Sequence, residues 1–82
     1  MSNIYEQAIE KWGVQAQKLK AIEELSELIK AIAKNDRENI IEEMTDVNIT
    51  TDQIALIYKI TEKEMADKLI EQTNKFKKAL DE

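Results

Sequence analysis

The pattern of hydrophobic and polar residues has the period of an α-helix along nearly the whole 82-residue chain. Apolar side chains recur every three or four positions, and the strict alternation that is typical of strands is missing. The pattern predicts four helices, over about residues 4–12, 15–33 and 37–58 and from Thr61 onward. Because the loops between them are short, we expect an antiparallel, four-helix, bundle-like protomer.

Residues that can cap helices stand at the predicted boundaries. Their side-chain oxygens can accept hydrogen bonds from the free backbone N–H groups of a first turn, and a glycine can end a helix. The expected caps are Ser2 or Asn3, Gly13, Asn35 or Asp36, and a capping box formed by Thr61 and Glu64.

The second and fourth predicted helices each carry an apolar stripe. On the second helix the spacings are three, four and three residues, as in a coiled coil. We call this stripe the α2 seam, and it consists of Ile22, Leu25, Ile29 and Ile32. On the fourth helix we expect the stripe to point inward, at Met65, Leu69, Phe76 and Leu80.

The third predicted helix is apolar on two sides. Its main stripe begins at Ile40, includes Met44 and ends at Tyr58, whereas Ile49 and Leu56 lie on roughly the opposite side. A helix that is apolar on two sides is usually buried on two sides. We therefore expect the main stripe to pack in the protomer core and the other side to join subunits of a homo-oligomer, either a dimer or a tetramer.

Composition narrows the fold class. The chain has no Pro and one Gly, so the turn residues that strand-rich folds need are missing. Cys and His are absent as well, which excludes disulfides and a typical zinc site. These features predict an all-α protein. A chain this small usually needs to oligomerise to bury enough surface, which agrees with the two-sided helix.

The net charge of −5 lies entirely within residues 1–58, and residues 59–82 are neutral overall. An acidic surface argues against duplex nucleic acid or an anionic membrane as the main partner. No apolar run approaches the roughly 20 residues that cross a bilayer. The N-terminus also lacks the basic and apolar regions of a signal peptide, so we expect a cytoplasmic protein.

Two pairs of acidic residues are candidates for a metal site. Glu24 and Glu27 lie three residues apart on the second predicted helix, and Glu43 and Asp46 have the same spacing on the third. This spacing places each pair on one helix face, and antiparallel helices could bring the two pairs together. Carboxylate oxygens suit Mg²⁺ or Mn²⁺. The alternative is that these acids are simply solvated, as charged helix faces usually are.

The sequence around these acids resembles the MazG-type nucleoside triphosphate pyrophosphohydrolases, an all-α family related to dimeric dUTPases. The matching segments are KWG at residues 11–13, EELSE at residues 23–27 and EMTD at residues 43–46. The resemblance implies a single domain of this type over residues 1–82. It also implies four Mg²⁺ ligands, which are Glu24, Glu27, Glu43 and Asp46.

The resemblance further implies residues that contact the substrate. Lys75 and Lys78, in the basic stretch NKFKK, would neutralise phosphate charge, and Lys68 shares a helix face with Lys75. Gln17 could hydrogen-bond a base or ribose, and Trp12 could stack on a base. Each has a plain structural alternative, namely a solvated side chain at the Lys and Gln positions and a core anchor at Trp12.

The implied reaction is Mg²⁺-dependent hydrolysis of a (deoxy)nucleoside triphosphate to the monophosphate and pyrophosphate, as a house-cleaning activity on the nucleotide pool. The chain offers no Ser, Cys or His arrangement for covalent catalysis, so water should attack phosphorus directly, with Glu27 as the candidate base. The alternative function is a non-catalytic helical dimerisation module that binds a partner protein.

Overall fold

The computed structural model describes residues 3–82, which form four α-helices and no strand. The helices are α1 (Ile4–Trp12), α2 (Val14–Lys34), α3 (Arg37–Ile57) and α4 (Glu62–Leu80). The predicted all-α class is confirmed, and the predicted boundaries agree with the observed ones to within one residue. Over the same residues, no helix combines the length and the apolar character needed to cross a bilayer.

Side-chain caps account for the beginnings of α1 and α4. The Asn3 side chain accepts a hydrogen bond from the Glu6 N–H at 2.9 Å. Ser2, the other predicted cap, lies outside the described residues. At α4 the predicted capping box is confirmed: the Thr61 hydroxyl accepts from the Glu64 N–H at 3.1 Å, and the Glu64 carboxylate accepts from the Thr61 N–H at 3.0 Å.

Two residues with positive φ separate the first three helices. Gly13, with φ of 90°, ends α1 and leads directly into α2. Asn35 ends α2 in the left-handed conformation, with φ of 57°, which Asn adopts more readily than most residues. The next residue, Asp36, caps α3 by accepting a hydrogen bond from the Asn39 N–H at 3.2 Å. This tight connection makes α2 and α3 an antiparallel hairpin.

The α2–α3 hairpin is the packed centre of the chain, and α1 contacts both of its helices. On α2 the buried apolar residues are Ala21 and Ala31. Because their side chains are small, the two helix axes can approach closely. This close approach brings polar side chains of α2 and α3 together along the rest of the contact.

The predicted α2 seam is present on the helix, and its four residues are exposed in the single chain. The pattern identified an apolar stripe but not the surface that covers it, and α3 packs against the neighbouring stripe of small and polar residues. The buried residues of α2 are Gln17, Ala21, Glu24 and Ala31.

The buried residues of α3 are polar. They are Thr50 and Gln53, whereas Met44, which belongs to the predicted core stripe, is exposed. The predicted core stripe is therefore wrong at this position. Ile49 and Leu56, which we expect at a subunit contact, are exposed in the single chain.

The fourth helix packs against none of the other three within residues 3–82. The prediction that its apolar stripe points inward is therefore wrong for the single chain: Met65, Leu69, Phe76 and Leu80 are 59–71% exposed. The radius of gyration is 15.5 Å, against about 12 Å for a compact domain of this length. The protomer thus leaves two apolar stripes uncovered, one on α4 and one on α2.

Candidate functional site

Three of the four predicted metal ligands converge at the middle of the hairpin. Glu24 comes from α2, and Glu43 and Asp46 come from α3, one turn apart. One carboxylate oxygen from each lies within 4.8 Å of the other two. The cluster forms because the antiparallel packing sets Glu24 opposite the Glu43–Asp46 turn.

Burial makes this cluster unlike an ordinary charged helix face. Glu24 is buried, and Glu43 and Asp46 are partly buried. The Oε2 atom of Glu43 is inaccessible to solvent and has no hydrogen-bond partner among the described residues. An unpaired buried carboxylate oxygen is costly for the folded state. The alternative that these acids are merely solvated is therefore wrong for Glu24 and does not account for Glu43.

The pKa values of the two glutamates move in opposite directions. Desolvation raises the pKa of Glu43 above its ordinary value, and hydrogen bonding with Glu24 and the charges of Glu24 and Asp46 raise it further. For Glu24, a hydrogen bond from Lys20 lowers the pKa and outweighs the effect of burial, which raises it. The protein therefore holds Glu24 as a carboxylate and makes ionisation of Glu43 costly.

Lys20 is the basic residue beside this cluster, and its role was not predicted from the sequence. Its Nζ atom lies 2.9 Å from Oε1 of Glu24, one turn away on α2. Hydrogen bonding to Glu24 and the nearby negative charges raise the pKa of Lys20. The i, i+4 spacing of Lys20 and Glu24 was visible in the sequence, but such pairs are common on solvated helices. Only the burial of Glu24 distinguishes this pair from the others.

Glu27, the fourth predicted ligand and the candidate base, lies outside the three-carboxylate cluster. It is partly exposed, and its Oε1 atom lies 3.4 Å from Nζ of Lys30. Glu27 is three residues after Glu24, so its side chain starts from a neighbouring position on α2. In the single chain its carboxylate is paired with a surface lysine instead.

A cavity of about 570 Å³ opens beside the cluster. It lies between the first three helices, in the direction of Gly13 and the beginning of α2. Charged side chains line one part of it, and neutral polar and apolar side chains line the rest. The lining residues are Trp12, Ala16, Gln17, Lys20, Glu24, Asp46, Ile49, Thr50 and Gln53.

Two of the predicted substrate-binding residues line this cavity. Trp12 is 59% exposed, so the alternative that it anchors the core is wrong, and its ring has an open surface. Lys11 lies over that ring, with Nζ 5.3 Å from the centroid. Gln17 is buried, so the alternative of a solvated Gln is also wrong.

The three predicted phosphate-binding lysines lie on α4, away from the cavity. Lys68 pairs with Glu71 at 2.8 Å, and Lys75 lies 3.7 Å from the same carboxylate. Lys78 is in the last turn of α4. Because α4 packs against no other helix within residues 3–82, the single chain does not bring these lysines to the carboxylate cluster.

The carboxylates of the cluster are suitable ligands for a hard divalent cation. Its donors are all carboxylate oxygens, which suit Mg²⁺ or Mn²⁺ better than zinc. The unpaired Oε2 atom of Glu43 is available as a metal ligand, because no other residue in the range 3–82 forms a hydrogen bond with it. A bound cation would also relieve the repulsion between neighbouring carboxylates.

The chain is thus a helical protein with a candidate cation site, formed by carboxylates from both helices of the hairpin beside an open cavity. The MazG nucleotide pyrophosphohydrolase domain matches residues 13–79, which is most of the chain. The chain therefore belongs to the MazG nucleotide pyrophosphohydrolase family, and the resemblance seen in the sequence is confirmed. The family indicates a hydrolase that acts on nucleotides. No curated protein and no solved structure matches the chain.

Proposed function

We propose that the protein hydrolyses (deoxy)nucleoside triphosphates to the monophosphate and pyrophosphate in a Mg²⁺-dependent reaction. The observation that carries this proposal is the convergence of Glu24, Glu43 and Asp46 around an unpaired, buried Glu43 oxygen, next to a cavity. Membership of the MazG family supports the reaction class. Mn²⁺ could replace Mg²⁺ because the donors are the same hard oxygens.

Glu24, Glu43 and Asp46 would hold the metal ion, and we propose Glu27 as a fourth ligand after it leaves Lys30. Mg²⁺ bound there would supply positive charge to the substrate phosphates and lower the pKa of a bound water. The Glu27 carboxylate, which lies outside the three-carboxylate cluster, is our candidate to accept the proton of the attacking water. The family implies attack at the α-phosphorus.

Lys20 is proposed to bind phosphate. Its ammonium group is already at the charged part of the cavity and can leave Glu24 when a metal ion takes over the carboxylate. An ammonium to phosphate contact is a charge-assisted hydrogen bond, which is stronger than a neutral one. Lys68, Lys75 and Lys78 can contribute only if α4 of another subunit covers the cavity.

A homo-oligomer is therefore part of the proposal, as a dimer or a tetramer. The α2 seam and the apolar stripe of α4 are uncovered in the single chain, and apolar surfaces of this kind usually mark interaction sites. Ile49 and Leu56 on α3 add to the exposed apolar surface. We place the activity in the cytoplasm, where nucleoside triphosphates are the available substrates.

The decisive experiment is a turnover screen of canonical and modified triphosphates with Mg²⁺, with products separated by chromatography. We expect the monophosphate and pyrophosphate in equal amounts. Release of the diphosphate and inorganic phosphate would contradict the proposed reaction. Omitting Mg²⁺ or adding a chelator should abolish turnover.

The same uncovered stripes support a second candidate, a non-catalytic module that assembles with a partner protein. A thermal melt with and without millimolar Mg²⁺ separates the two. Specific binding stabilises the folded state by mass action, whereas an interaction module should respond to Mg²⁺ no more than to an equal ionic strength of Na⁺. A melting temperature that depends on Mg²⁺ would favour the enzyme.

A further inference from the structure

The side chain of Thr50 is bonded to the backbone of Asp46, one of the three clustered carboxylates. The Thr50 hydroxyl donates to the carbonyl oxygens of Asp46 and Val47, each at 3.1 Å. In a regular α-helix the Asp46 carbonyl also accepts a hydrogen bond from the N–H of Thr50, four residues later. Bonds from a threonine hydroxyl to the preceding turn often bend a helix. Thr50 therefore constrains the backbone at the point from which the Asp46 carboxylate extends.

Thr50 differs from the other two threonines of α3 in its position. It is 4% exposed and lines the cavity beside the cluster. Thr45 and Thr51 are exposed, and their hydroxyls donate to the carbonyls of Ile41 and Asn48. Neither of those carbonyls belongs to a residue of the carboxylate cluster. Only the Thr50 hydroxyl combines burial with a bond to a clustered acid.

Stability alone does not explain a threonine at this buried position. Valine has nearly the same shape and carries a methyl group in place of the hydroxyl, so it needs no hydrogen-bond partner when it is buried. A threonine that bonds back to the preceding turn slightly destabilises its helix. The hydroxyl of Thr50 is therefore better explained by the residue that it holds than by the packing of α3.

Among the three acids, Asp46 depends most on its backbone. An aspartate carboxylate is separated from the backbone by two rotatable bonds, whereas the carboxylates of Glu24 and Glu43 are separated by three. The glutamates can adjust their reach, but the position of the Asp46 carboxylate follows its backbone closely. Mg²⁺ requires nearly ideal octahedral geometry with ligands at about 2.0–2.1 Å, whereas Ca²⁺ accepts longer and more variable distances. Holding Asp46 in place therefore matters more for Mg²⁺ than for Ca²⁺.

We propose that Thr50 is a positioning residue, whose hydroxyl holds the backbone of Asp46 so that the carboxylate cluster favours Mg²⁺ over larger divalent cations. Thr50 acts through Asp46 and is not itself a metal ligand. This inference rests on the proposed function, because it takes the cluster of Glu24, Glu43 and Asp46 as the cation site. It adds a residue outside the ligands that sets the affinity and the selectivity of that site.

The test is isothermal titration of the full chain with Mg²⁺ and, separately, with Ca²⁺, in the absence of substrate. Thr50→Val removes the hydroxyl and keeps the shape, and Thr50→Ser keeps the hydroxyl. Thr51→Val is the matched control, because it removes the same kind of bond from an exposed position of the same helix. We expect Thr50→Val to raise the Kd for Mg²⁺ about tenfold, which is the low end of the effect of groups that hold metal ligands in place.

The Kd for Ca²⁺ should rise less in Thr50→Val, so the preference for Mg²⁺ should fall. Thr50→Ser and Thr51→Val should keep the wild-type Kd values. The inference is overturned if Thr50→Val leaves Mg²⁺ binding unchanged, if it weakens both ions equally, or if Thr51→Val has the same effect. Failure of Thr50→Ser to retain Mg²⁺ affinity would overturn it as well.

Thermal melts with a chelator distinguish positioning from a purely structural role. Thr50→Val should melt at or above the wild-type temperature, because the Asp46 carbonyl keeps its backbone hydrogen bond and no buried acceptor is left unpaired. A structural role predicts a lower melting temperature in Thr50→Val, and that result would overturn the inference. If Thr50→Val does not fold, Thr50→Ala, which also lacks the hydroxyl, replaces it in the same titrations.

Turnover assays separate this inference from the proposed reaction. In Thr50→Val the Mg²⁺ concentration for half-maximal rate should rise about tenfold, whereas kcat at saturating Mg²⁺ should change little. If triphosphates are not hydrolysed but Thr50→Val weakens Mg²⁺ binding selectively, the proposed reaction fails and the role of Thr50 stands. If the wild type turns over triphosphates and Thr50→Val binds Mg²⁺ normally, only the role of Thr50 fails. A wild type that does not bind Mg²⁺ would overturn both.

Discussion

Lys20 and Glu24 form an ion pair at 2.9 Å on one side of α2, with the lysine largely accessible and the glutamate buried. This pair keeps Glu24 ionised when no metal is bound, because the ammonium group offsets the cost of burying the carboxylate. Lys20 also lines the cavity beside the cluster. Lys20 can therefore exchange the carboxylate for a phosphate when metal and substrate arrive.

Lys20→Met should raise the KM for triphosphates by about tenfold, the loss expected for a hydrogen bond to a charged group. It should also tighten Mg²⁺ binding measured without substrate, because Lys20 no longer competes for Glu24. Isothermal titration gives the Mg²⁺ affinity and steady-state kinetics give KM. Lys34→Met, at an exposed position of the same helix, is the control. Weaker Mg²⁺ binding in Lys20→Met would contradict the proposed exchange.

Lys75→Ala should raise the KM for triphosphates more than Glu23→Ala does, provided that α4 of a second subunit reaches the cavity. Lys75 carries positive charge on α4, whereas Glu23 is exposed on α2 and lies outside both the cluster and the cavity lining. Steady-state kinetics of the two variants decide the point. Equal effects would remove Lys75 from the phosphate site and leave Lys20 as the basic residue that binds phosphate.

The helices were predictable because their signals are local. Asn3, Asp36 and Thr61 cap the helices whose first turns follow them, and Gly13 and Asn35 adopt positive φ where a helix must end. These interactions involve residues three or four positions apart, so the sequence alone contains them.

The packing was less predictable because it depends on what covers each stripe. The α2 seam has the spacing of a buried stripe, yet the hairpin contact uses the neighbouring stripe that contains Ala21 and Ala31. No local signal distinguishes burial within a protomer from burial between subunits. The same is true of the candidate site. Its acids could be chosen from their spacing in the sequence, whereas the burial of Thr50 and Gln53 depends on how α3 packs in the folded chain.

Glu43→Gln should abolish turnover while the protein remains folded. The substitution keeps the shape of the side chain but removes one negative charge from the cluster of proposed metal ligands. Glu42→Gln is the matched control, because Glu42 is the neighbouring residue, is exposed and lies outside the cluster. Near-normal Mg²⁺-dependent activity in Glu43→Gln, or an equal loss in Glu42→Gln, would count against the site.

The metal-free protein should lose stability as the pH rises through the pKa of Glu43. The folded-state pKa lies above the ordinary value of 4.5, so the folded state binds the proton more tightly than the unfolded state does. Its contribution is then fully present below pH 4.5 and is lost above the raised pKa. At neutral pH with a chelator, Glu43→Gln should therefore melt a few degrees above the wild type.

The difference should shrink as the pH falls below 4.5, where the wild-type Glu43 is protonated in both states. Adding Mg²⁺ at neutral pH should reverse the order, because only the wild type gains full stabilisation from the bound ion. Thermal melts across the pH range, with and without Mg²⁺, test both parts. A metal-free Glu43→Gln that is less stable than the wild type at neutral pH would contradict the assigned cause, the burial of this carboxylate among like charges.

The α2 seam should hold subunits together, so Ile22→Asp combined with Ile29→Asp should dissociate or unfold the protein. Burying each isoleucine between subunits contributes roughly 1.5–3 kcal/mol, and a two-fold interface repeats each change on the partner. Among the apolar residues of the described range 3–82, the single chain buries only Ala21 and Ala31, which is too little for a stable monomer. Lys34→Ala with Lys77→Ala changes the net charge equally, at exposed positions off the seam, and should remain oligomeric. Light scattering measures the molecular mass in solution. A folded, active wild-type monomer of 9.5 kDa at micromolar concentration would refute the assembly.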